Sequence, residues 1–420
     1  KLLFVTPAFP PVPGGGEYYA HALATHLADR GHSITVVTSA ARLESDFWQR
    51  SPAPPLPRQE ERGGIHIVRC PLRPLPGGRW TLLAWRKAMV LLAALPGERP
   101  ALLAWMARFV PALLGLDERL AALPGGHELV HGFNLSWEGA MMAAWRFARA
   151  RRLPFVVTPF AHLGTGPADR VALNNRMDHQ RQLLRDADAT LTLTSVEKEG
   201  LVRWGAPAGR VEVVGSGLKP VPMVAADPEH WRRYGLVDPL VLFIGRVSFD
   251  KGAIHAAQAV MALRARGRPV CLALVGQIAP EFARFYRSLS AVDREYVRPL
   301  GLVSEHDKQT LLCQCVTLVL PSRTDSFGIV LLEAWAHGKP VIGARAGGIP
   351  GVVSEGEDGL LVDFGDVAAL AAAVDHLLTD PALCERMGQK GQSKTAAHYT
   401  WERVTEQVLT IYQRLLVGHV

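Results

Sequence analysis

The sequence predicts an α/β protein that consists of two doubly wound domains facing each other across a cleft. A chain of 420 residues is longer than one ordinary hydrophobic core accommodates. One order of elements occurs twice along the chain. It consists of a strand, a glycine-containing loop, a helix that ends at Arg-Gly, and a second strand. The strand segments are continuous apolar runs, which is typical of parallel sheets covered by helices on both faces.

In the first half, residues 2–6 (LLFVT) predict a short buried strand. The loop PAFPPVPGGG follows, and then a helix whose apolar residues recur at helical spacing from Ala20 to Leu27. Gly31 in DRGH is the expected end of this helix, and residues 33–37 (SITVV) form the next strand. Later strands are predicted at PFVVTPF, ATLTLTS and VEVVG.

The second half repeats this order over residues 239–276. Strand PLVLFIG is followed by loop RVSFDKG, helix AIHAAQAVMALRARG and strand PVCLALVG, and further strands are predicted at YVRPLG, VTLVLPS and KPVIGA. The segment 216–238 is rich in Pro and Gly between two strand–helix patterns, so the boundary is placed there. We therefore expect domains at 1–216 and 217–399, with helix 400–420 crossing back onto the first.

The composition is that of an ordinary globular protein, with 48% hydrophobic and 20% charged residues. The net charge of +7 suits an anionic small molecule or an anionic membrane surface, and it equally suits a merely solubilising surface. Five cysteines, an odd number, argue against a disulfide framework and favour a reducing cytoplasm. The pair Cys313 and Cys315 lacks the second ligand pair of a zinc site, so we expect no metal. We also expect no signal peptide before KLLFVT.

The glycine run Gly14 to Gly16 stands between a strand and a helix. Its backbone N–H groups could approach an anion closely at the helix N-terminus, although a flexible turn has the same sequence. The run matches neither the spaced glycines of a dinucleotide fingerprint nor a phosphate loop ending in Gly-Lys-Ser/Thr. A hydride-transfer enzyme and a P-loop ATPase are therefore disfavoured.

The equivalent loop of the second half carries cations. Arg246 follows Gly245 at the end of strand VLFIG, and Lys251 precedes Gly252 at a helix start. Both would stand at the carboxyl edge of the sheet, where open α/β sheets bind ligands. Arg can hold phosphate oxygens bidentately and Lys acts as a point charge, so the two residues suit a phosphate-bearing ligand. The alternative is that they are a solvated pair on the surface.

The stretch RTDSFGIVLLEAWAHGKPVI predicts a helix after strand VTLVLPS. Asp325 or Ser326 could cap this helix. Its free N–H groups would then point into the cleft. The free amides are those of Phe327, Gly328 and Ile329.

Glu333 is an isolated carboxylate in an apolar stretch of this helix. Burying it without a hydrogen-bond partner would cost several kcal/mol. Because an ionised carboxylate accepts two hydrogen bonds at once, Glu333 suits a vicinal diol such as that of ribose. The alternative is a glutamate satisfied by a structural Arg or by backbone.

Four stretches together resemble one known family. They are GGGEYYAHALATHLADRGHSITVVTS, FIGRVSFDKG, TDSFGIVLLEAWAHGKPVIGARAGGIPGVVSEGEDGLLV and TWERVTEQVLTIY. They are similar to the Gly-Gly loop, the Gly-Arg … Lys-Gly loop, the Glu-x7-Glu segment and the closing crossover helix of the retaining glycosyltransferases of family four. The resemblance covers nearly the whole chain and implies the GT-B fold, in which two Rossmann-like domains are an acceptor-side N-terminal and a donor-binding C-terminal domain.

This resemblance implies a nucleoside-diphosphate sugar as donor. It assigns the diphosphate to Arg246 and Lys251, the ribose to Glu333, and a place beside the reacting sugar to His162, although a His after a strand is more often structural. The implied catalytic residues are His162, Arg246, Lys251 and Asp325. Further donor contacts are implied for Gly15, Gly16, Gly245, Leu302, Val303, Asp325, Ser326, Phe327, Gly328 and Ile329.

The implied reaction transfers a hexose-type sugar, with retention, to a hydroxyl of a glycan, lipid or small molecule. No cofactor, essential metal or nucleic-acid partner is implied. Two alternatives stay open, a nucleotide-sugar epimerase of the same fold and a non-catalytic donor-binding subunit. The chain departs from the family pattern at Asp325, which replaces the first Glu, at Ser216 and Lys219, which replace Asn and Asp, and at Gly351, which replaces Glu. These departures leave the donor sugar open.

Residues 79–116 contain Trp80, Trp85 and Trp105, with four Arg and one Lys but a single acid, Glu98. Helices of this composition can lie in a membrane interface. The alternative is a helical hairpin packed on the first domain. The membrane interpretation predicts a protein at the inner, cytoplasmic face of a membrane and a lipid-linked or membrane-surface glycan as acceptor.

Overall fold

The described part of the chain, residues 1–219, 221 and 233–418 of a computed structural model, forms two separate β-sheets. Much of the boundary segment predicted at 216–238 lies outside these residues. The chain divides into two units. Unit 1 comprises Lys1–Ala161, Pro167–Gly217 and Trp401–Val420, and unit 2 comprises His162–Gly166 and Leu218–Thr400.

The sheet of unit 1 has the strand order β3-β4-β2-β1-β5-β6-β7-β8. Its strands are β1 (Leu2–Val5), β2 (Ile34–Ser39), β3 (Gln59–Arg62), β4 (Ile65–Cys70), β5 (Leu129–Phe133), β6 (Phe155–Thr158), β7 (Ala189–Thr192) and β8 (Val211–Val213). All neighbours are parallel except β3 and β4, which pair antiparallel at the edge. The antiparallel edge and strand β5 were not among the predicted strands. Elsewhere the predicted apolar runs are the observed strands.

The helices of unit 1 connect these strands and cover the sheet. They are α1 (Gly15–Asp29), α2 (Gly78–Ala94), α3 (Pro100–Ala107), α4 (Leu116–Ala121), α5 (Gly139–Arg151), α6 (Arg170–Leu173), α7 (Asp178–Asp186) and α8 (Ser195–Arg203). Strand β1 is buried along its whole length, as its four apolar residues predict. The chain proceeds from β1 to β2 on one side and to β5 on the other, so this sheet changes direction beside β1.

The sheet of unit 2 is parallel throughout, in the order β11-β10-β9-β12-β13-β14. Its strands are β9 (Leu240–Ile244), β10 (Cys271–Val275), β11 (Val297–Gly301), β12 (Thr317–Leu320), β13 (Val341–Ala344) and β14 (Gly359–Val362). The chain moves outward from β9 to β11 and then returns to β12 on the opposite side of β9. The loops after β9 and β12 therefore diverge at a topological switch point, where α/β sheets bind ligands.

The helices of unit 2 include one that the sequence singled out. In the described residues they are α9 (Ala253–Ala265), α10 (Pro280–Ser288), α11 (Ala291–Tyr296), α12 (Glu305–Gln314), α13 (Ile329–Ala336), α14 (Val367–Thr379) and α15 (Pro381–His398). Helix α13 buries Trp335, whose indole N–H donates to the carbonyl oxygen of Asp358 over 2.8 Å. The apolar residues around Glu333 therefore form part of the core of unit 2.

The last helix, α16 (Trp401–Val417), belongs to unit 1 and packs against α1. The ring of Trp401 lies 5.3 Å from that of Tyr19, and its N–H donates to the Tyr18 hydroxyl over 3.1 Å. Further along, the hydroxyl of Tyr412 lies 2.6 Å from Nδ1 of the buried His131. Aromatic packing and these two hydrogen bonds thus attach the C-terminal helix to the first sheet.

Residues 79–116 include most of helix α2 and all of helix α3. The indole N–H of Trp85 in α2 donates to the carbonyl of Met106 in α3 over 3.0 Å, which joins the two helices. Several large apolar side chains nevertheless remain exposed, and Trp80 is 80% exposed. Within the described residues, no helix alone has the length and apolar character to cross a membrane, and only the pair α14 and α15, bent by 101°, passes that test jointly.

Candidate functional site

The loops after β9 and β12 meet at the carboxyl edge of the second sheet. Gly252 has a φ of +81°, and a Cβ atom there would lie 2.1 Å from the carbonyl oxygen of Pro321. Only glycine allows this approach, so the loop that carries Lys251 lies directly against the end of β12. As a result, the Lys251 ammonium donates to Oδ1 of Asp325 over 2.8 Å.

The ion pair between Lys251 and Asp325 is partly buried. Burial acts to raise the pKa of Asp325, but the charge and hydrogen bond of Lys251, together with smaller contributions from Ser322 and His162, lower the pKa overall. Asp325 is therefore ionised at neutral pH. Its Oδ2 atom is buried and has no hydrogen-bond partner among the described residues. A carboxylate held by one oxygen and open at the other can accept a hydroxyl group.

His162 lies near the same ion pair. The short segment His162–Gly166 belongs to unit 2, although the sequence division at 216 assigns it to the first domain. The amide of Gly347 donates to the carbonyl of Gly164 over 3.0 Å and anchors the segment. Desolvation, followed by the Lys251 charge, lowers the pKa of His162 to about 4. The imidazole is therefore neutral at neutral pH, and its Nδ1 has no partner in the described part of the chain.

The start of α13 differs from the prediction. Gly328, with a φ of +86°, is the N-cap residue, and no side chain caps the helix. The expected capping by Asp325 or Ser326 is wrong because Asp325 pairs with Lys251 instead. The helix begins at Ile329, so the amides of Phe327 and Gly328 precede it rather than lie in its first turn. Phe327 is buried and packs edge-on against Tyr399, with ring centroids 5.4 Å apart.

The partner of Glu333 is Lys308 on α12. The Lys308 ammonium donates to Oε1 of Glu333 over 2.9 Å and lies 3.1 Å from Oε1 of Glu305. The alternative to a ribose ligand was a structural Arg or backbone, and neither satisfies this carboxylate in the described residues. Burial raises the pKa of Glu333 and Lys308 only partly offsets this. Its Oε2 is buried and has no partner among the described residues.

Sequence reasoning missed Lys308 entirely. It lies in the polar first turn of α12, far from Glu333 in sequence, and no spacing connects the two. The only available signal was the unexplained carboxylate itself, which required a cation or a donor somewhere in the fold. Lys308 and Glu333 form a second ion pair in unit 2, distinct from Lys251 and Asp325.

Other predicted site residues stand at strand ends of unit 2. Gly245 and Arg246 directly follow β9, and the amide of Gly245 donates to the carbonyl of Val275 over 2.9 Å. Leu302 and Val303 directly follow β11, and Leu302 is 74% exposed. Unit 2 thus contains all predicted site residues except Gly15 and Gly16. Those two begin α1 in unit 1, where Gly14 is the N-cap residue.

Comparison with known sequences and structures identifies the family. Residues 14–217 match the family described as glycosyl transferase 4-like domain, and residues 233–394 match glycosyl transferases group 1. The fold is similar to that of sucrose-phosphate synthase from Thermosynechococcus elongatus, with a TM-score of 0.72, 22% identity and 99% of each chain covered. The chain is a glycosyltransferase of the GT-B fold. This confirms the predicted fold class and the coarser part of the predicted function.

Two curated relatives of this glycosyltransferase differ in the share of the two chains that aligns. The α-D-kanosaminyltransferase of Streptomyces kanamyceticus is 29% identical over 56% of the chain and 63% of its own length. The D-inositol 3-phosphate glycosyltransferase of Acidothermus cellulolyticus is 28% identical over 96% of the chain and 86% of its own length. Among solved structures, Anabaena HepE in complex with UDP-glucose has a TM-score of 0.69 and 18% identity, over 98% of this chain and 99% of HepE.

Proposed function

We propose that this glycosyltransferase belongs to the retaining enzymes of family four and moves a hexose-type sugar from a nucleoside-diphosphate sugar to a hydroxyl acceptor. The observation that carries the proposal is the Lys251–Asp325 ion pair beside neutral His162 at the switch point of the second sheet. The UDP-glucose complex of HepE supports a nucleotide-sugar donor. The Asp325 to Glu333 spacing, in place of Glu-x7-Glu, supports the family.

In this proposal cations hold the diphosphate. Arg246 can bind phosphate oxygens in a bidentate manner, and Lys251 supplies a point charge whose position is fixed by Asp325. Negative charge grows on the phosphate oxygen as the donor's glycosidic bond breaks. Groups placed in advance around that oxygen stabilise the transition state more than the ground state. We assign this stabilisation to the two side chains and to no resident metal.

The sugar and the nucleoside would use the unpartnered polar atoms. Oδ2 of Asp325 and the imidazole of His162 can form hydrogen bonds with hydroxyl groups of the transferred sugar. Oε2 of Glu333 can accept a ribose hydroxyl. Leu302 and Val303, at the end of β11, are assigned to the base. The peptide groups from Ser326 to Ile329 lie next to Asp325 and are assigned to the sugar.

The chemical step is a single exchange at the anomeric carbon. The acceptor oxygen forms a bond to this carbon on the face from which the diphosphate leaves. The bond between the anomeric carbon and the phosphate oxygen breaks, and its electron pair stays with the nucleoside diphosphate. The proton of the acceptor hydroxyl moves to the leaving phosphate oxygen. The products are a glycoside of unchanged anomeric configuration and a nucleoside diphosphate.

The exposed face of helices α2 and α3 indicates the class of acceptor. We define the α2–α3 face by its exposed apolar residues, which are Trp80, Leu83, Leu91, Leu95, Leu102 and Trp105. Arg79, Lys87 and Arg108 are exposed in the same segment. Aromatic and basic residues together suit an anionic membrane surface. We propose that this face contacts such a surface and that the acceptor is a lipid-linked or membrane-surface glycan.

The proposal is tested with a panel of nucleotide sugars and nucleoside diphosphates. Donor binding should raise the melting temperature, and more so for a ligand of higher affinity at the same concentration. Asp325→Asn should weaken binding of the nucleotide sugar more than of the nucleoside diphosphate, because it changes the sugar contact, and Glu333→Ala should weaken both. Arg287→Gln on α10 is the control, and it should bind both ligands as the wild type does. Unchanged donor binding in Glu333→Ala would contradict the ribose assignment.

The reaction is tested by product analysis. A nuclear magnetic resonance spectrum of the glycoside formed should show the anomeric configuration of the donor, together with one free nucleoside diphosphate per transfer. An inverted product would refute the retaining mechanism. An epimerised nucleotide sugar with no free nucleoside diphosphate in the presence of acceptor would instead indicate the epimerase.

A further inference from the structure

A cavity of about 1030 Å³ lies in unit 1 and has no role in the proposed chemistry above. Ala40, which directly follows β2, and Pro71, which directly follows β4, both line it. Strands β2 and β4 are parallel neighbours, so the cavity stands at the carboxyl edge of the first sheet. This is the edge at which open α/β sheets bind ligands, and the volume is that of a small-molecule site.

Most of the cavity wall is apolar. Trp48, Leu72, Leu75 and Leu114 line it, together with several prolines. Trp48 and Leu72 pack against a buried cluster that includes Phe47, so this part of the wall has a fixed position. A pocket of this kind favours an apolar ligand because it removes the ligand's apolar surface from water.

The charges in the wall are mainly positive. Arg50 and Arg73 line the cavity, and in the described part of the chain neither guanidinium forms an ion pair or hydrogen bond. The single acid in the wall is Asp46, whose Oδ2 accepts from the amides of Arg42 over 2.8 Å and Leu43 over 3.1 Å. Two guanidinium groups without partners favour an anion and disfavour a polycationic amino sugar.

The cavity and the α2–α3 face share their supporting segments. Pro76 lines the cavity just before α2 begins, and a Cβ on Gly78 would lie 3.2 Å from the carbonyl oxygen of Trp48. On the other side, Leu114 lines the cavity and is 43% exposed, and its amide donates to the carbonyl of Pro71 over 2.8 Å. The apolar wall thus continues along the chain into the apolar face.

From these observations we infer that the cavity binds an anionic amphiphile, a phosphate group carried on a hydrocarbon chain, with the phosphate on Arg50 and Arg73 and the chain along Trp48 and Leu72. This inference rests on the proposed function, for which it names the acceptor class. The acceptor is a lipid phosphate, or a glycan linked to one, rather than a free sugar.

The test uses dodecyl phosphate below its micelle concentration as the probe, with inorganic phosphate and dodecanol as separate arms. Binding is measured by isothermal titration calorimetry on the full chain. We expect saturable binding of dodecyl phosphate and weaker or no binding of the other two. The double variant Arg50→Gln/Arg73→Gln should weaken dodecyl phosphate binding about tenfold or more, because a charge-assisted hydrogen bond contributes about 1.5 kcal/mol or more. The matched control Arg62→Gln, on β3 outside the cavity, should bind as the wild type does.

Three results would overturn the inference. They are no binding of dodecyl phosphate, equal binding of inorganic phosphate, and equal loss of affinity in Arg62→Gln. Leu72→Gln, which keeps both arginines, should weaken dodecyl phosphate binding and would separate a site in this cavity from a surface charge effect. Nucleotide-sugar binding is measured on the same samples. If the protein binds nucleotide sugar but not dodecyl phosphate, only this inference is refuted. If it binds dodecyl phosphate but not nucleotide sugar, the proposed donor site is refuted and the lipid site remains.

Discussion

Lys308 donates a hydrogen bond to Glu333 over 2.9 Å, so the carboxylate assigned to the ribose is already held by a cation through one oxygen. Its other oxygen, Oε2, is buried and has no hydrogen-bond partner in the described residues. Burial raises the pKa of Glu333, and the charge of Lys308 works against that increase. Lys308 therefore favours the ionised form of Glu333 and sets the direction of its carboxyl group.

Replacing Lys308 by Met should make donor affinity strongly dependent on pH. Without the ammonium, the pKa of Glu333 rises further, and a larger share of the carboxyl is protonated as the pH falls. Because only the carboxylate accepts hydrogen bonds through both oxygens, affinity for the nucleoside diphosphate should drop toward acid pH. One pKa unit of further increase corresponds to about a tenfold change in the protonation equilibrium. Titration calorimetry at about pH 6 and about pH 8.5 measures the effect.

Lys308→Arg is the control for this experiment. It keeps the positive charge, so its affinity should vary with pH as that of the wild type does. If Lys308→Met reduced the affinity for the nucleoside diphosphate equally at both pH values, Lys308 would have a role in packing only. That result would contradict the electrostatic account.

His162 should contribute to turnover without contributing to its pH profile. Desolvation lowers the pKa of His162 to about 4, so the imidazole is neutral throughout the range from about pH 5.5 upward. His162→Ala should lower kcat about a hundredfold if the imidazole donates to the reacting sugar. The shape of the profile between about pH 5.5 and pH 8 should stay that of the wild type. A rate change near pH 6.5 that disappears in His162→Ala would contradict this. His66→Ala, at a half-exposed position on β4, is the control.

The fold was largely predictable because its signals are local. Continuous apolar runs identified strands such as β1, β9 and β12, and Gly31 identified the end of α1. Strand β4 was missed although it is largely buried. Strand β3 was missed because its sequence, QEER, is polar and short. An edge strand of this kind is exposed on one side and carries no apolar pattern.

The site was predictable only where a residue stands at a strand end. Lys251 and Asp325 meet because both follow strands beside the switch point, which the order of elements already indicates. The capping prediction for Asp325 failed because tertiary pairing with Lys251 competed with a local hydrogen bond. Lys308 was missed because its contact with Glu333 depends on how α12 packs, and no sequence period encodes that packing.

Glu197 should make the stability of unit 1 dependent on pH. Its carboxylate oxygens accept from the amides of Ala161 over 2.7 Å and Leu193 over 2.8 Å, and burial raises its pKa from 4.5 to about 7. Since the folded pKa is the higher one, the stabilising contribution is complete below about pH 4.5 and is lost as the pH rises through 7. The loss amounts to about 3 kcal/mol in the free energy of unfolding.

Urea unfolding of Glu197→Gln over this pH range measures the contribution. The variant cannot titrate at this position, and it loses one acceptor for the two amides. Its deficit relative to the wild type should therefore be large near pH 4.5 and small near pH 8. A deficit that is constant with pH would refute the assignment. Glu402→Gln, exposed on α16, should leave the pH dependence unchanged.

The α2–α3 face should govern binding to anionic vesicles. Trp80 is 80% exposed, and burying a side chain of this size contributes roughly 2 kcal/mol. Trp80→Ser should therefore reduce the affinity for phosphatidylglycerol vesicles, measured by co-sedimentation, about thirtyfold at low salt. Lys87→Gln should reduce it less, and only at low salt, since salt screens the charge. Val292→Ser, 61% exposed in unit 2, is the matched control. Absence of sedimentation of the wild type at any salt concentration would refute the membrane contact.

The ion pair of Lys251 and Asp325 allows stability and catalysis to be separated. Lys251→Met leaves the Asp325 carboxylate partly buried without its cation, which should lower the free energy of unfolding by roughly 2 kcal/mol. Adding Asp325→Asn removes that uncompensated charge, so the double variant should regain most of the stability. Sugar transfer should stay lost in the double variant, because neither the cation for the diphosphate nor the carboxylate for the sugar is present. Urea unfolding and nucleoside-diphosphate release are measured on the wild type, Lys251→Met, Asp325→Asn and the double variant. A double variant that regained both stability and turnover would show that the pair only supports the loop that carries it.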